Sequence, residues 1–291
     1  MSKAILTADI HIRETQPICR LDDFAGKTQW DDLAHLCKLQ SQYDCPVFNA
    51  GDLFDHWKNT NWLITKVIEY LPDSFFTVYG DHDQPGKNME LIGKSSIETL
   101  RVAGRLEVID EGNWRDTVHD GFRYSKRNVA VMHRFAWDGK EVPWPGCEES
   151  TAQQILDEYP QFDLIVTGDH HKGFVHRGSD GRLLVNPGCF NIQDAKYIGY
   201  KPRVYLWESE DNSVETIYLP VLGEYSREHR DREKENEQKL NAIVERIRED
   251  IEEAFDSDDD EVSDTLKRYF QKHKTQQITQ QIIYKALEEI K

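Results

Sequence analysis

An α/β fold is predicted for this chain from three observations. Over the first two-thirds of the sequence, short apolar runs alternate with segments of helical periodicity. Five of the apolar runs stop at an aspartate or a histidine. From Asn128 onward the texture shifts toward strands, with several short runs separated by turn residues.

Residues 3–8 predict a strand running into Asp9-Ile10-His11. Residues 30–42 predict a helix with Leu33, Leu36, Cys37 and Leu39 on one side. Residues 45–50 read as a buried strand that exits sharply at Gly51-Asp52-Leu53-Phe54-Asp55. A helix over 62–71 carries Leu63, Val67, Ile68 and Leu71, and a strand over 75–79 enters Gly80-Asp81-His82-Asp83. A helix over 95–103 and a strand over 106–109 follow. Residues 128–132 predict a strand ending at His133, residues 151–158 a short helix, and residues 162–167 a strand ending at Gly168-Asp169-His170-His171. Strands over 173–177, 182–185, 203–207 and 213–219 are expected to complete a second sheet, with Asn186-Pro187-Gly188 as a turn.

After Pro220 the chemistry changes. Residues 224–255 predict one long amphipathic helix, since Leu240, Ile243, Val244, Ile247, Ile251 and Phe255 recur at intervals of three and four. The acidic run 256–261 reads as a solvated linker, and two further helices are expected over 262–272 and 275–290. The expected organisation is therefore an α/β domain over 1–223, a long helix over 224–255, a linker over 256–261 and a helical element over 262–291.

Composition narrows the class. A hydrophobic content of 38% and seven tryptophans describe a chain that folds around a core. No apolar run approaches the ~20 residues of a membrane span, and the N-terminus enters a strand without a signal-peptide pattern. Five cysteines, odd in number and in no CxxC pair, argue for reduced thiols and against a structural zinc site. A cytoplasmic protein with no membrane association is expected. The net charge is −17; residues 224–291 hold 19 acids against 13 bases, a net of −6, which leaves −11 on the rest. A field of that sign repels nucleic acid unless bound cations or local basic residues offset it.

A single aspartate at a strand end is either a helix N-cap or a metal ligand. The recurrence favours the metal. Strands of one parallel sheet deliver their carboxyl ends to one rim, so Asp9, His11, Asp52, Asp81, His133, Asp169 and His171 are expected to meet. Unpaired carboxylates there would repel one another, and divalent cations relieve that repulsion. His170 points the opposite way from Asp169 and His171 in an extended stretch. His35, His56, His119, His176, His229 and His273 are read as ordinary polar residues.

In order and spacing over roughly residues 1–220, this set of motifs resembles the calcineurin-like metallophosphoesterases. It looks most like the SbcD-type DNA-repair nucleases and their relatives in large phages. The resemblance implies a four-layer α/β/β/α metallophosphoesterase sandwich, followed here by C-terminal helices. It implies that Asp9, His11, Asp52 and His171 hold one metal, and that Asp52, Asp81, His133 and Asp169 hold another, with Asp52 bridging. Water activated between two ions would attack phosphorus in line with the leaving oxygen. His82 would be the catalytic histidine, stabilising charge or protonating the leaving oxygen. Asp83 either holds His82 in the useful tautomer or caps a helix. Asp55 is expected to support the ligands from behind. Arg13 and Arg134 are either phosphate clamps or exposed charges.

Two departures shape the expected cofactor. The family usually has Asn at position 81 and His at position 169, and both are Asp here. The ligand set becomes four carboxylates and three imidazoles, which favours manganese, or magnesium, over zinc. The added negative charge makes bound water a weaker acid, so activity at higher pH is expected. Only helices are expected after Pro220, so the family's DNA-capping domain is expected to be absent or much reduced.

In the family, C-terminal helices dock on the coiled coil of a partner ATPase. The 262–291 element is expected to do so here, whereas the long helix either covers the catalytic domain or joins in the docking. The resemblance also implies DNA as substrate, an exonuclease role in an SbcCD-like repair or recombination complex, and homodimerisation. Two other functions are consistent with the residues: a phosphodiesterase or phosphatase acting on small nucleotides or phosphoproteins, and a non-catalytic scaffold for the ATPase.

Overall fold

The computed structural model describes residues 2–109, 121–229, 231 and 270. The chain divides into two units, Met1–Arg227 and Glu228–Lys291. Nearly all of the second, including residues 232–255 of the expected long helix, the acidic linker and all of the 262–291 element but Phe270, lies outside the described residues.

Among the described residues of the first unit, eleven strands form two sheets. The first sheet holds β1 (Lys3–Thr7), β2 (Val47–Asn49), β3 (Phe75–Thr77), β4 (Glu107–Val108), β10 (Arg203–Glu208) and β11 (Ser213–Tyr218), in the order β11-β10-β1-β2-β3-β4. The second holds β5 (Phe122–Tyr124), β6 (Arg127–Met132), β7 (Leu164–Thr167), β8 (Phe174–Arg177) and β9 (Leu183–Asn186), in the order β5-β6-β7-β9-β8. β1 to β4 run parallel, as do β6, β7 and β9.

Side-chain alternation builds the layers. Leu6, Phe48, Val131, Val166, Val185 and Trp207 point between the sheets. Their neighbours Ile5, Val47 and Phe75 turn outward onto α1 (Gln29–Tyr43), α2 (Asn61–Tyr70) and α3 (Ser96–Val102), where Leu33, Leu36, Val67 and Leu100 meet them. Ala130, Ile165 and Leu184 turn outward onto Ile155 and Leu156 of α4 (Ala152–Glu158). The result is the predicted α/β/β/α sandwich. Local signals start the helices: Thr60 and Ser95 accept from the amides of Leu63 and Glu98, and Thr151 with Gln154 closes a capping box. Among the described residues, no helix is long and apolar enough to cross a membrane.

Three expectations are corrected. β10 and β11, expected in the second sheet, belong to the first, because β10 pairs antiparallel with β1 from Lys3↔Glu208 to Leu6↔Tyr205. β5 was not anticipated; Phe122 and Tyr124 pack on Phe48 at ring separations of 5.0 and 5.4 Å, a tertiary contact with no periodic signature. The helix expected from Glu224 is still extended there. Leu21 N donates to Glu224 O and Ser226 N to Cys19 O, while the Arg20 guanidinium lies over the rings of Phe24 and Tyr225. That clamp keeps residues 224–227 on the first unit.

Candidate metal centre

The candidate residues come from both sheets. β1, β2 and β3 end at Asp9-Ile10-His11, Asp52 and Asp81-His82-Asp83, whereas β6 and β7 end at His133 and Asp169-His170-His171. The single rim predicted from sequence is thus the seam where the carboxyl ends of two facing parallel arrays meet.

Asp52 lies at the middle of this seam. His11 Nε2 is 3.6 Å and His133 Nε2 3.4 Å from its Oδ2, and the His82 amide donates to its Oδ1 at 2.8 Å. On one side, His171 Nε2 lies 3.8 Å from Asp9 Oδ1, and the His11 and His171 rings are 5.3 Å apart. Potential ligand atoms come within 4.8 Å of one another in three groups: Asp9, His11 and His171; Asp9, Asp52 and His133; His11, Asp55 and His82. Asp169 donates its amide to Asp9 Oδ1 at 3.1 Å. Burial raises the pKa of the Asp169 carboxyl, His133 opposes the rise, and Asp81 and Asp52 add to it. Asp81 is therefore beside the cluster too, with its carboxylate turned to Lys87. Asp81 and Asp169 stand outside the three groups of converging donors.

The backbone is bent to make this possible. Asp9, His11, Asp52 and Asp169 adopt φ of 49°, 50°, 51° and 69°. Left-handed conformations at non-glycine residues cost ~1–3 kcal/mol each and gather at functional sites. The glycines that precede three of the acidic motifs have a steric reason. A Cβ at Gly51 would stand 2.6 Å from His133 Nδ1, one at Gly80 2.1 Å from Asp52 Oδ1, and one at Gly168 2.2 Å from Ala50 O.

Electrostatics without a cation are unfavourable. Burial raises Asp9 to about 8 and lowers His11 to about 3. Burial also opposes charge on Asp52 and His133, but their mutual attraction outweighs it, lowering the pKa of Asp52 and raising that of His133. Asp9 Oδ2, both ring nitrogens of His11 and His133 Nε2 are buried with no hydrogen-bond partner in the protein. Unsatisfied buried polar atoms of this kind are rare. These orphaned atoms are carboxylate oxygens and imidazole nitrogens, which suit divalent cations. The residues present therefore fit a metal centre. The Ala50 carbonyl, 2.8 Å from His133 Nδ1, accepts its proton and leaves Nε2 as the bare donor.

The remaining expected residues are placed as follows. His82 is exposed at the rim, its ring 4.8 Å from that of His11, with Nδ1 2.7 Å from Asp55 O. The carbonyl can only accept, so Nδ1 carries the proton and Nε2 is left with the free lone pair. Asp83 neither orients this ring nor caps a helix. It is fully buried and accepts from the amides of Leu53, Phe54 and Gly80 at 3.2, 3.0 and 3.1 Å, tying the Asp52 loop to the His82 loop. Asp55 lies 3.8 Å from His11 Nδ1 and takes Arg13 Nη1 at 3.2 Å. Arg13 also bonds Thr15 and Gln193, beside a cavity of about 420 Å³ that includes His56 and Lys58. Arg134 reaches away from the cluster, donating to Glu158 of α4 and to Ser150. It anchors a loop. His170 turns away as expected, its ring 4.6 Å from Phe135.

Several positioning residues carry no motif. Asn49 Nδ2 bonds Gly51 O and Thr77 Oγ1, Asn186 Nδ2 reaches Gly168 O, and Gln193 Nε2 donates to the carbonyls of Ile10 and His11. A polar residue ending a buried apolar run (Asn49, Asn186) is the signal that could have pointed to two of them.

The family model for calcineurin-like phosphoesterases matches residues 2–173. Solved structures similar to the chain include vacuolar protein sorting 29 from Cryptosporidium parvum, at 14% identity and a TM-score of 0.39, covering 75% of this chain and 96% of that one. A metallophosphoesterase from Sphaerobacter thermophilus is similar at 13% identity and a TM-score of 0.37, covering 76% and 88%. A predicted phosphoesterase from Streptococcus pneumoniae is similar at 12% identity and a TM-score of 0.33, covering 77% and 92%. No curated protein sequence matches the chain.

Proposed function

The chain belongs to the calcineurin-like phosphoesterase family, and from that premise we propose that it is a two-metal DNA nuclease of the SbcD type, using manganese. The observation that carries the metal-dependent reading is the set of buried, unpartnered donor atoms on Asp9, His11 and His133 around Asp52. The order and spacing of the five strand-end motifs support the SbcD-type reading. Asp9, His11, Asp52 and His171 would hold one ion; Asp52, Asp81, His133 and Asp169 would hold the other. When bound, divalent ions supply Lewis acidity and neutralise the charge of the phosphodiester. Four carboxylates among the ligands favour a hard cation, and this is the reason for naming manganese rather than zinc.

The residues themselves divide the remaining work. Asp52 is held on both sides by imidazoles and by the His82 amide, so its carboxylate has a fixed orientation. His82 is exposed at the rim and, as imidazolium, can deliver a proton to the leaving oxygen. Arg13 stiffens Asp55 behind His11, and Asp83 couples the two loops that carry Asp52 and His82. We also propose that the 262–291 element docks on a coiled-coil ATPase and that the chain forms a homodimer.

The test offers linear duplex DNA, single-stranded DNA and an aryl phosphodiester to the purified chain under manganese and then magnesium, with His82→Ala alongside. Manganese-dependent loss of DNA, abolished in His82→Ala, is expected. Turnover of the aryl ester with intact DNA, even with the partner ATPase added, would leave a small-nucleotide or phosphoprotein esterase. No turnover of any substrate would leave the scaffold function.

A further inference from the structure

The charge of the centre leaves a phosphodiester without a counter-charge. Asp9, Asp52, Asp81 and Asp169 are four carboxylates, which two divalent ions only neutralise, and the chain as a whole carries −17. An anionic substrate is drawn in only if a further cation stands at the rim.

Several cations near the centre are engaged by residues that ligate nothing. Arg13 is held by Asp55, Thr15 and Gln193, and Arg134 by Glu158 and Ser150. Lys196 lies over the Tyr197 ring, which packs on His171, and pairs with Asp194 at 3.4 Å. Lys87 is different. Its Nζ donates to Asp81 Oδ2, and Asp81 belongs to the expected ligand set.

The loop after Asp81-His82-Asp83 puts Lys87 there. Lys87 N donates to Gln84 O at 3.3 Å, and buried Gln84 donates from Nε2 to Gly80 O at 3.1 Å. Gly86 and Lys87 both take left-handed φ, 59° and 56°, and the turn brings the lysine back on a carboxylate six residues earlier. Such a backbone is uncommon for lysine and gathers at functional sites. The ammonium also acts on Asp169: burial raises the pKa of that carboxyl, and Lys87 is among the groups that oppose the rise. One ammonium thus serves both carboxylates that sequence adds to the second ion's ligands. The Lys87 side chain is 58% exposed and can swing away, whereas that of Asp81 is 12% exposed and cannot. Three N–H donors on a flexible stem suit a change of partner.

We propose that Lys87 is a phosphate-binding residue that competes with the second ion for Asp81 and, displaced from it, meets a non-bridging oxygen of the substrate phosphate. This rests on the two-ion phosphodiesterase reading. Lys87 is released to the substrate only when Asp81 ligates an ion, so phosphate capture is tied to a loaded centre.

Calorimetric titration of manganese into the chelator-stripped protein reads the competition. Lys87→Met should bind one of the two ions about three- to tenfold more tightly than the parent, and that gain should fall below about twofold in an Asp81→Asn background, where the lysine has no carboxylate to hold. Proton relaxation of dimethyl phosphate, an inert phosphodiester, reads the second contact on the manganese-loaded protein. Its dissociation constant should rise about three- to tenfold in Lys87→Met and stay within about twofold of the parent in Lys87→Arg. Manganese affinity unaltered or weakened in Lys87→Met would overturn the proposal, as would a gain that persists with Asp81→Asn. So would dimethyl phosphate that does not bind the parent, or binds it and Lys87→Met alike. Failure of the two-ion reading is a different result, seen in the parent alone as uptake of fewer than two ions, and the proposal falls with it.

Discussion

Gly80 and Asp52 are in such close apposition that a methyl group on Gly80 would stand 2.1 Å from Asp52 Oδ1 and 2.2 Å from Asp52 N. The second contact is with backbone, which cannot swing aside. Gly80→Ala should therefore displace the Asp52 loop, at an overpacking cost of ~1–3 kcal/mol. The expected outcome is a folded protein whose manganese affinity falls at least tenfold, read by calorimetric titration beside a thermal melt. Unaltered affinity would show that the Asp52 loop tolerates the shift.

Asp83 is expected to behave as a structural clamp. It accepts from three amides, and an asparagine there turns an N–H donor toward at least one of them. Asp83→Asn should cost ~2–3 kcal/mol, lowering Tm by roughly 4–12 °C in a domain of this size. The shape of the pH–rate profile should not change. A shifted acidic or basic limb would instead return Asp83 to a role in setting the His82 proton.

Asp32 supplies a pH signature remote from the metal centre. Burial lifts its carboxyl from 3.8 to about 7, with Arg20 opposing the rise. The folded state then binds a proton that the unfolded chain has already released, so stability falls as pH rises from about 4 to about 7. Asp32→Asn should remove that fall and exceed the parent in stability above pH 7, measured by urea denaturation at several pH values. Parallel curves for the two proteins would contradict it.

Asp81 and Asp169 are expected to set the metal preference. Asp81→Asn with Asp169→His gives the nitrogen-richer set usual in the family and should move the affinity ratio toward zinc by tenfold or more. Competition between manganese and zinc in calorimetric titration reads that ratio. An unmoved ratio would mean that the other five residues determine the preference.

How far the sequence was legible follows from which residues announce themselves. Asp9, Asp52 and Asp169 each end an apolar run, and an acid at that position stands out against alternation. Their left-handed φ is equally readable in hindsight, since aspartate tolerates it better than most side chains. The two-sheet seam was not legible. Strand ends carry no label of which sheet they join, and β10 was misassigned because its pairing with β1 spans about two hundred residues. The contacts of Asp83 and Arg134 were not legible for a related reason. Each stands next to a functional residue in sequence, but its partners, Leu53 and Phe54 or Glu158, are fixed only by tertiary packing. Residues 224–227 look helical by composition and are held extended by Arg20.

The most direct test of the centre is manganese titration of the chelator-stripped protein and of Asp52→Asn, each followed by hydrolysis of an aryl phosphodiester. Two ions per chain and restored hydrolysis are expected for the parent, as a bridged pair requires, with at least one ion and nearly all hydrolysis lost in Asp52→Asn. Two ions bound by Asp52→Asn, with hydrolysis undiminished, would contradict the placement of Asp52 between them.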